Sequence, residues 1–357
     1  PTASARSGLG RTARLATTGS PRSTRHKKCG YRLTQEELTT EVSRHKEELM
    51  NTQEHIRSVQ RPQGLNVLYL CGGIGMFAQA LKEGGANIQN QIDVEIDELS
   101  RGIASANHVI DHATLPQDLT KVEPHHIDRL VEVYGRIDMV VATTPCQGLS
   151  RANEGGIGLR DTRSALFLRS IKIIQQLQHI NPEMTYIVEN VDFRSAHPKD
   201  YDTVCSHLGG AEYIDAKHTS GATRKRLFWH NLGAESRDTR VGKPSIDTLL
   251  ETGCSLRRGD RTAPCIMSSW RCSHGLCNES KQCSHPHDHT AHHYMNTANP
   301  VLVEQGGVCR HISPAEGESL MGLPAGYTAH ADGHARVAGI HRLERIGAGI
   351  DIRSVQT

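Results

Sequence analysis

The sequence predicts an α/β fold, a parallel sheet carrying helices on both faces. Three observations carry this. Short apolar runs recur along the middle of the chain: NVLYL at 66–70, IDVEI at 92–96, IDMVVA at 137–142, TYIVEN at 185–190 and RLFWHN at 226–231. Between the third and fourth, RSALFLRSIKIIQQLQ at 163–178 spaces its apolar residues as a helix does. Alternation of this kind is the mark of βα units. Finally, a glycine-rich turn, LCGGIG at 70–75, leads from the first run straight into a helix start at 76–83.

A chain of 357 residues has length for one large domain or two modest ones. Its apolar fraction of 36% and mean hydropathy of −0.48 are low for a globule, so part of the length lies outside any core. Aromatic residues are only 4%, which leaves little material for a base-stacking platform, and a net charge of +2 gives no strong electrostatic signature. No apolar run approaches the roughly 20 residues of a membrane-spanning helix, so no membrane partner is expected. Of ten cysteines, Cys254, Cys265, Cys272, Cys277 and Cys283 crowd one histidine-rich segment. That clustering suits metal or redox chemistry in a reducing compartment better than a secreted disulfide scaffold. The chain opens on Pro1 rather than Met, which leaves room for upstream or partner regulatory domains.

Residues 1–33 are rich in Arg, Ser, Thr and Ala, with no acidic residue before Glu36. This reads as a disordered basic tail: a phosphate-binding arm, an organelle transit peptide or a solvated terminus. Thr34 and Glu37 fit a capping box that opens a helix over 34–60, with a thin stripe of Leu38, Val42, Leu49 and Ile56. Residues 64–233 hold the strand–helix alternation. Residues 234–308 are polar, rich in Cys and His and without clean periodicity, and 309–357 form a compact closing segment.

The third strand carries the sharpest signal. Val140, Val141 and Ala142, after Ile137 and Met139, read as buried on both faces, and Pro145 cannot donate to a ladder. Cys146 therefore falls on a loop at the carboxyl end of a parallel strand, where open α/β sheets bind ligands. A small buried cysteine filling a strand end is the plain alternative. Glycines in LCGGIG let the backbone approach a ligand, and the following helix offers free N–H groups. Glu95 ends the next strand about twenty residues on, where an acidic residue grips ribose hydroxyls. Asp118, in QDLT, is placed to meet an adenine amine. These point to an adenosine-bearing cofactor without naming it. Glu189, in ENV at 189–191, ends the fourth strand, where a desolvated carboxyl can hold a proton. Arg224 and Arg226, in TRKRLFW, share one face of an extended segment. Alone, each is more readily structural. At successive strand ends they make a site for a polar heterocycle.

This ordered set resembles the DNA (cytosine-5) methyltransferases. LCGGIG, VEID at 94–97, TPCQG, ENV and the Arg-Lys-Arg motif follow that family's order. RHISPAEGESLMGLP at 310–324 matches its late motif, and RIGAGIDI at 345–352 its closing motif, which packs beside the first strand. LSRANEGGIGLRDTRSALF at 149–167 and RLFWHNL at 226–232 look most like the de novo, domain-rearranged branch. The likeness covers 64–233 and 309–353.

The resemblance implies a Rossmann-like, S-adenosylmethionine-dependent sheet with a smaller irregular target-recognition region at 234–308. It implies cofactor contacts at Leu70, Cys71, Gly73, Ile74, Gly75, Glu95, Ile96, Asp118, Leu119 and Pro145. The catalytic set is then Cys146, Glu189, Arg224 and Arg226. Cys146 matches the nucleophile that attacks cytosine carbon-6, Glu189 the group that binds ring nitrogen-3, and Arg226 the one that holds the carbonyl oxygen. Double-stranded DNA with a flipped cytosine is the implied partner, residues 151–161 a lid, and the nucleus, or an organelle given the basic tail, the implied site of work. Two positions depart from the pattern: Cys71 stands where the family usually has a Phe stacked on adenine, and Ala348 where many members have Asn. The Cys/His segment offers a structural zinc site on Cys272, Cys277, Cys283 and His285, against a plain His-rich loop. Three other readings stay open: an RNA methyltransferase on this fold, although the Cys-Phe-Thr signature of the tRNA branch is absent; a non-catalytic scaffold; and a nicotinamide-dependent oxidoreductase.

Overall fold

The structure, a computed structural model, describes residues 64–150, 156–233, 242–256, 261–268, 271–272, 294–295, 301–333 and 336–356. The expected tail at 1–33, the helix at 34–60 and the first half of the lid lie outside these residues.

Strand β1 (Leu65–Leu70) leads through the glycine turn into α1 (Met76–Glu83), and β2 (Ile88–Val94) is followed by α2 (Glu98–Asn107). Next come α3 (Pro124–Tyr134), β3 (Met139–Ala142), α4 (Ala165–Ile180) and β4 (Thr185–Val191). The units α5 (Pro198–Leu208), β5 (Glu212–Asp215) and β6 (Lys225–His230) complete a six-stranded sheet of order β2-β1-β3-β4-β6-β5. The pairings β2–β1, β1–β3 and β3–β4 are parallel. Strand β6 enters antiparallel to both β4 and β5. The expected all-parallel alternation therefore holds for four strands and ends at β6.

Both faces of the sheet are covered, as a parallel sheet requires. Strand alternation sends Val67 and Tyr69 to one face and Leu68 and Leu70 to the other. The second face packs Ile127 and Leu130 of α3, Phe167, Ile171 and Ile174 of α4, and the buried Trp229. The first packs α1 and residues from the end of the chain, among them Leu343, Ile346 and Ile352. The closing segment thus completes the core beside β1.

The region 234–308 is less irregular than its composition suggests. Strand β7 (Cys254–Leu256) joins an antiparallel sheet with β10 (Leu302–Gln305) and β11 (Val308–His311), so β11 straddles the expected boundary at 308. Leu256, Ile266, Val301 and Val303 enter the first-face core. A short ladder pairs β8 (Arg271–Cys272) with β9 (Tyr294–Met295).

Helices α6 (Pro314–Leu320), α7 (Gly339–Ala348) and α8 (Ile352–Val355) close the chain. A capping box starts α6: Ser313 Oγ accepts from the Glu316 N–H at 3.2 Å, and Glu316 Oε2 accepts from the Ser313 N–H at 2.7 Å. Two buried carboxylates organise this segment. Glu316 pairs with Arg310 at 2.7 Å. Glu318 pairs with Arg342 at 2.7 Å and accepts from the N–H groups of Gly326 and Thr328, both at 2.8 Å. Among the described residues, no helix is long and apolar enough to cross a membrane.

Glu318→Ala strands one guanidinium and two N–H groups in the interior. Removing one partner of a buried pair costs about 3–5 kcal/mol, so the urea midpoint of this variant should fall by that equivalent. A midpoint within error of wild type would show that Glu318 contributes nothing to the segment.

Candidate active site

The carboxyl ends of β1, β2, β3 and β4 meet at one edge. Cys71 and Gly73 follow β1 with φ of 60° and 59°, and Gly75, with φ of 77°, caps α1. A Cβ on Gly72 would come within 2.5 Å of the Asp93 carboxylate, so that position admits only glycine without rearrangement. At Gly73 the corresponding space is open.

Two carboxylates hold the turn from β2. The Gly72 N–H donates to Asp93 Oδ1 at 3.1 Å, and the Gly73 N–H donates to Glu95 Oε2 at 2.9 Å. Glu95 Oε1 accepts from the Asp97 N–H at 2.8 Å. Each Glu95 oxygen keeps a lone pair for a further donor. Burial, then the charge of Glu95, pushes the Asp93 carboxyl well above the usual carboxylate range. Burial raises Glu95 as well, against the N–H groups of Asp97 and Gly73.

A pocket of about 280 Å³ opens in front of this turn. Cys71, Glu95, Ile96, Asp118, Leu119 and Pro145 line it, six of the residues expected to contact a cofactor. Ile96 is 69% exposed, a bare apolar wall. Leu70 and Ile74 point instead into the core and shape the turn from behind. Val94, Gln117, Thr120, Thr162, Arg163 and Leu166 also line the pocket and were not expected. Thr162 and Arg163 come from the turn that leads into α4 and Leu166 from its first turn, and only the fold brings them to the pocket. Gln117 bridges the walls: its Nε2 donates to Asp93 O at 3.3 Å and its Oε1 accepts from the Glu95 N–H at 3.4 Å.

Cys146 stands one residue past the pocket wall at Pro145. Its carbonyl accepts from Leu149 N (3.0 Å) and Ser150 N (2.8 Å), which starts a helical turn. Asn190 pins the loop, its Nδ2 donating to Thr144 O at 3.1 Å and to Thr144 Oγ1 at 3.2 Å. Thr143 Oγ1 donates to Cys71 O at 2.7 Å and so ties the cysteine loop to the cofactor turn. The sequence shows Asn190 only as the middle of ENV. Its bond to the cysteine loop is a property of the fold.

Glu189 and Arg226 lie side by side at 2.6 Å, Nε to Oε1, both largely buried. Burial pushes the Cys146 thiol up; the Arg226 charge draws it down, Glu189 raises it, and Arg224 draws it down again. The net direction is upward, so the resting side chain is a thiol. Arg224 does not join the pair. Its Nη1 donates to Ile266 O at 3.2 Å, and its Nη2 to the carbonyls of Gly347 (3.2 Å) and Gly349. Of the two arginines expected to serve the substrate, only Arg226 stands paired with Glu189. Lys225 opens β6, so Arg224 lies before the ladder and turns into the protein, where it braces the closing segment behind Cys146.

The arrangement combines a pocket of about 280 Å³, a cysteine one residue past its wall and a buried carboxylate–guanidinium pair whose charges act on that thiol. Residues 65–216 match the family of C-5 cytosine-specific DNA methylases. The matched stretch runs from β1 through β5 and contains the cysteine loop and the Glu189 strand end. Over 122 residues it is 30% identical to the DNA (cytosine-5)-methyltransferase DRM1 of Arabidopsis thaliana, covering 33% of this chain and 20% of that protein. Over 134 residues it is 30% identical to DRM2 of Oryza sativa subsp. japonica, covering 35% and 21%. The chain thus spans only about a fifth of each relative's length. The fold is shared with the S. pombe Dnmt2 methyltransferase, at a TM-score of 0.53 and 16% identity over 82% of this chain and 96% of that one. The Entamoeba histolytica methyltransferase EhMeth gives 0.51 and 12%, over 83% and 96%.

The described residues contain one metal-like group, Glu251, Cys254 and Glu316. Arg310 already occupies it, with Nη2 at 3.1 Å from Cys254 Sγ, 3.1 Å from Glu251 and 2.9 Å from Glu316. The guanidinium is the cation of that cluster. Of the expected zinc ligands, Cys272 lies in β8, while Cys277, Cys283 and His285 fall outside the described residues.

Because Glu189 raises the Cys146 thiol and Arg226 lowers it, their removal should act in opposite directions. Alkylation of Cys146 by iodoacetamide, followed by peptide mapping across pH, should lag an ordinary cysteine (pKa about 8.5) in the wild type. Glu189→Gln should shift the profile to lower pH and Arg226→Gln to higher pH. Shifts in the same direction would show that access, not charge, governs the thiol.

Proposed function

We propose that the chain is the catalytic domain of a DNA (cytosine-5) methyltransferase that uses S-adenosylmethionine and a covalent Cys146 adduct on a flipped cytosine. The observation that carries this reading is Cys146, seated between the pocket wall at Pro145 and the Glu189–Arg226 pair. The residues present suit the cofactor: open space at Gly73, a carboxylate with free lone pairs at Glu95, an acidic loop residue at Asp118, and apolar walls at Ile96 and Leu119. S-adenosylmethionine supplies the methyl group as an electrophile.

The rest is the work of this chain's side chains. Cytosine is unreactive at carbon-5 until a nucleophile adds at carbon-6. Glu189, protonated as the base binds, donates to ring nitrogen-3 and Arg226 donates to the carbonyl oxygen, so the electron density driven into the ring by attack is held at both ends. In that state the Glu189 charge no longer raises the Cys146 thiol. Base binding therefore promotes thiolate formation where it is needed. After methylation, water takes the carbon-5 proton, the carbon–sulfur bond breaks to release Cys146 as thiolate, and the ring double bond is restored. The DNA reading implies work in the nucleus or in a DNA-bearing organelle.

DNA containing 5-fluorocytosine tests the reading, because fluorine cannot leave as a cation and the thioether persists. An adduct stable to denaturing electrophoresis, dependent on S-adenosylmethionine and abolished in Cys146→Ser, is expected. Glu189→Gln should slow trapping severely. No adduct on DNA, with one on 5-fluorocytosine RNA, would reassign the substrate; none on either would favour a scaffold. Trapping by Cys146→Ser would move the nucleophile elsewhere.

The proposal extends to a structural zinc ion on Cys272, Cys277, Cys283 and His285, supported by the ligand types and by the β8–β9 ladder that joins the two ends of their segment. Elemental analysis of untagged protein should find close to one zinc per chain. Metal-free protein whose Cys272 and Cys283 alkylate freely under native conditions would exclude it.

A further inference from the structure

Among the described residues, none of those lining the pocket is aromatic. Its walls are Val94, Ile96, Leu119, Pro145, Leu166 and the half-buried Cys71, with polar side chains at the rim. A purine against such walls gains apolar contact but no face-to-face partner. The one extended planar cation among the lining residues is Arg163.

Its guanidinium is fixed. Nε donates to Asp161 Oδ1 at 2.9 Å and Nη2 to Asp161 Oδ2 at 2.6 Å, an in-plane fork. Asp161 is itself set in the chain, its N–H donating to Gly158 O at 3.1 Å and its carbonyl accepting from Ser164 N at 2.9 Å. Edge pairing of this kind uses two of the five guanidinium N–H groups and, being in-plane, occupies neither face. The side chain is about half exposed, 49%. Guanidinium faces stack on aromatic rings, which an ammonium cannot do.

We propose that Arg163, held edge-on by Asp161, stacks its face on the adenine of the cofactor and supplies the planar contact that Cys71 leaves out. The role rests on the cofactor reading above and makes Arg163 a positioning residue for the nucleoside, with no part in the chemistry at Cys146.

Calorimetry with S-adenosylmethionine, S-adenosylhomocysteine and adenosine on the full chain tests it. Arg163→Ala and Arg163→Lys should each weaken all three roughly three- to thirty-fold, the range of a cation–π contact, by similar factors at low and high salt. Cys71→Phe should tighten binding in the wild type and gain more in the Arg163→Ala background, because a ring then replaces the missing face. An unchanged affinity in Arg163→Ala would overturn the role. So would full retention by Arg163→Lys, which would mark a point charge, or a loss confined to the ligands with an amino-acid tail, which would mark a carboxylate contact. If Cys71→Phe fails to fold, the two Arg163 variants decide. Wild-type protein that binds none of the three ligands would overturn the cofactor reading itself, and the stacking role with it.

Discussion

The site depends on the parallel register of β1, β3 and β4. Leu70 pairs with Ala142, and Ala142 with Val188. Neighbouring strands lie about 4.8 Å apart, so the chain leaves Cys71, Thr143 and Glu189 from one line within about 10 Å. Because all three strands are buried on both faces, an apolar-in, polar-out pattern cannot fix that register alone. Side-chain bonds at the edge do so instead. Thr143 reaches Cys71 O from β3, and Asn190 reaches Thr144 from β4. A one-residue slip breaks both bonds and carries Glu189 away from the cysteine loop.

Three carboxylate–guanidinium pairs show how burial is put to different uses. Glu316–Arg310 and Glu318–Arg342 are closed, with further N–H or O–H donors covering the remaining oxygens. A buried pair of this kind costs desolvation and specifies one arrangement of the segments it joins. Glu189–Arg226 is joined by one short contact, with Arg226 Nη1 donating besides to Lys225 O at 2.8 Å, and its charges act on the Cys146 thiol. The pairs that brace the closing segment and the pair near the cysteine therefore differ in how fully they are satisfied, although their residue types are the same.

Legibility in the sequence followed the same division. Strands β1, β3, β4 and β6 were readable because apolar runs survive burial, whereas β5, EYID at the sheet edge, carries too little apolar weight to announce itself. Strand β2 begins at Ile88, four residues before its apolar run, because IQNQ lies on a half-exposed edge. The direction of β6 depends on the path of the chain from β5, which composition does not encode. Cys71, Glu95 and Pro145 were legible because each follows a strand end, and Asp118 as an acidic loop residue, whereas Ile96 and Leu119 came from the family resemblance alone. Thr162, Arg163 and Leu166 were not, since an arginine at a helix start reads as a solvated surface residue until the fold brings it to the pocket. Arg224 and Arg226 looked equivalent on an extended segment, and the onset of β6 at Lys225 separates them.

The closing segment explains why the two halves of the site do not form independently. Tyr327 donates its one hydroxyl hydrogen to the carbonyls of Ile74 (2.9 Å) and Gly75 (3.1 Å). His108 Nε2, 2.9 Å from the same oxygen, must then be the donor to it. Burial, with the Lys82 charge, pushes His108 down to about 4, so the imidazole braces the turn as a neutral group at physiological pH. Arg345 reaches Asp97 at 2.9 Å beside Glu95, and a Cβ on Gly349 would strike Met76 of α1. Arg224, next to the strand that carries Arg226, spends its guanidinium on the carbonyls of Gly347 and Gly349. The same forty or so residues therefore hold the glycine turn from one side and the strand that carries Arg226 from the other. A chain whose last segment is undocked loses both supports together. Sequence between β7 and β10 can meanwhile vary in length and composition, because the two strands that bracket it pair with each other and fasten it to the core.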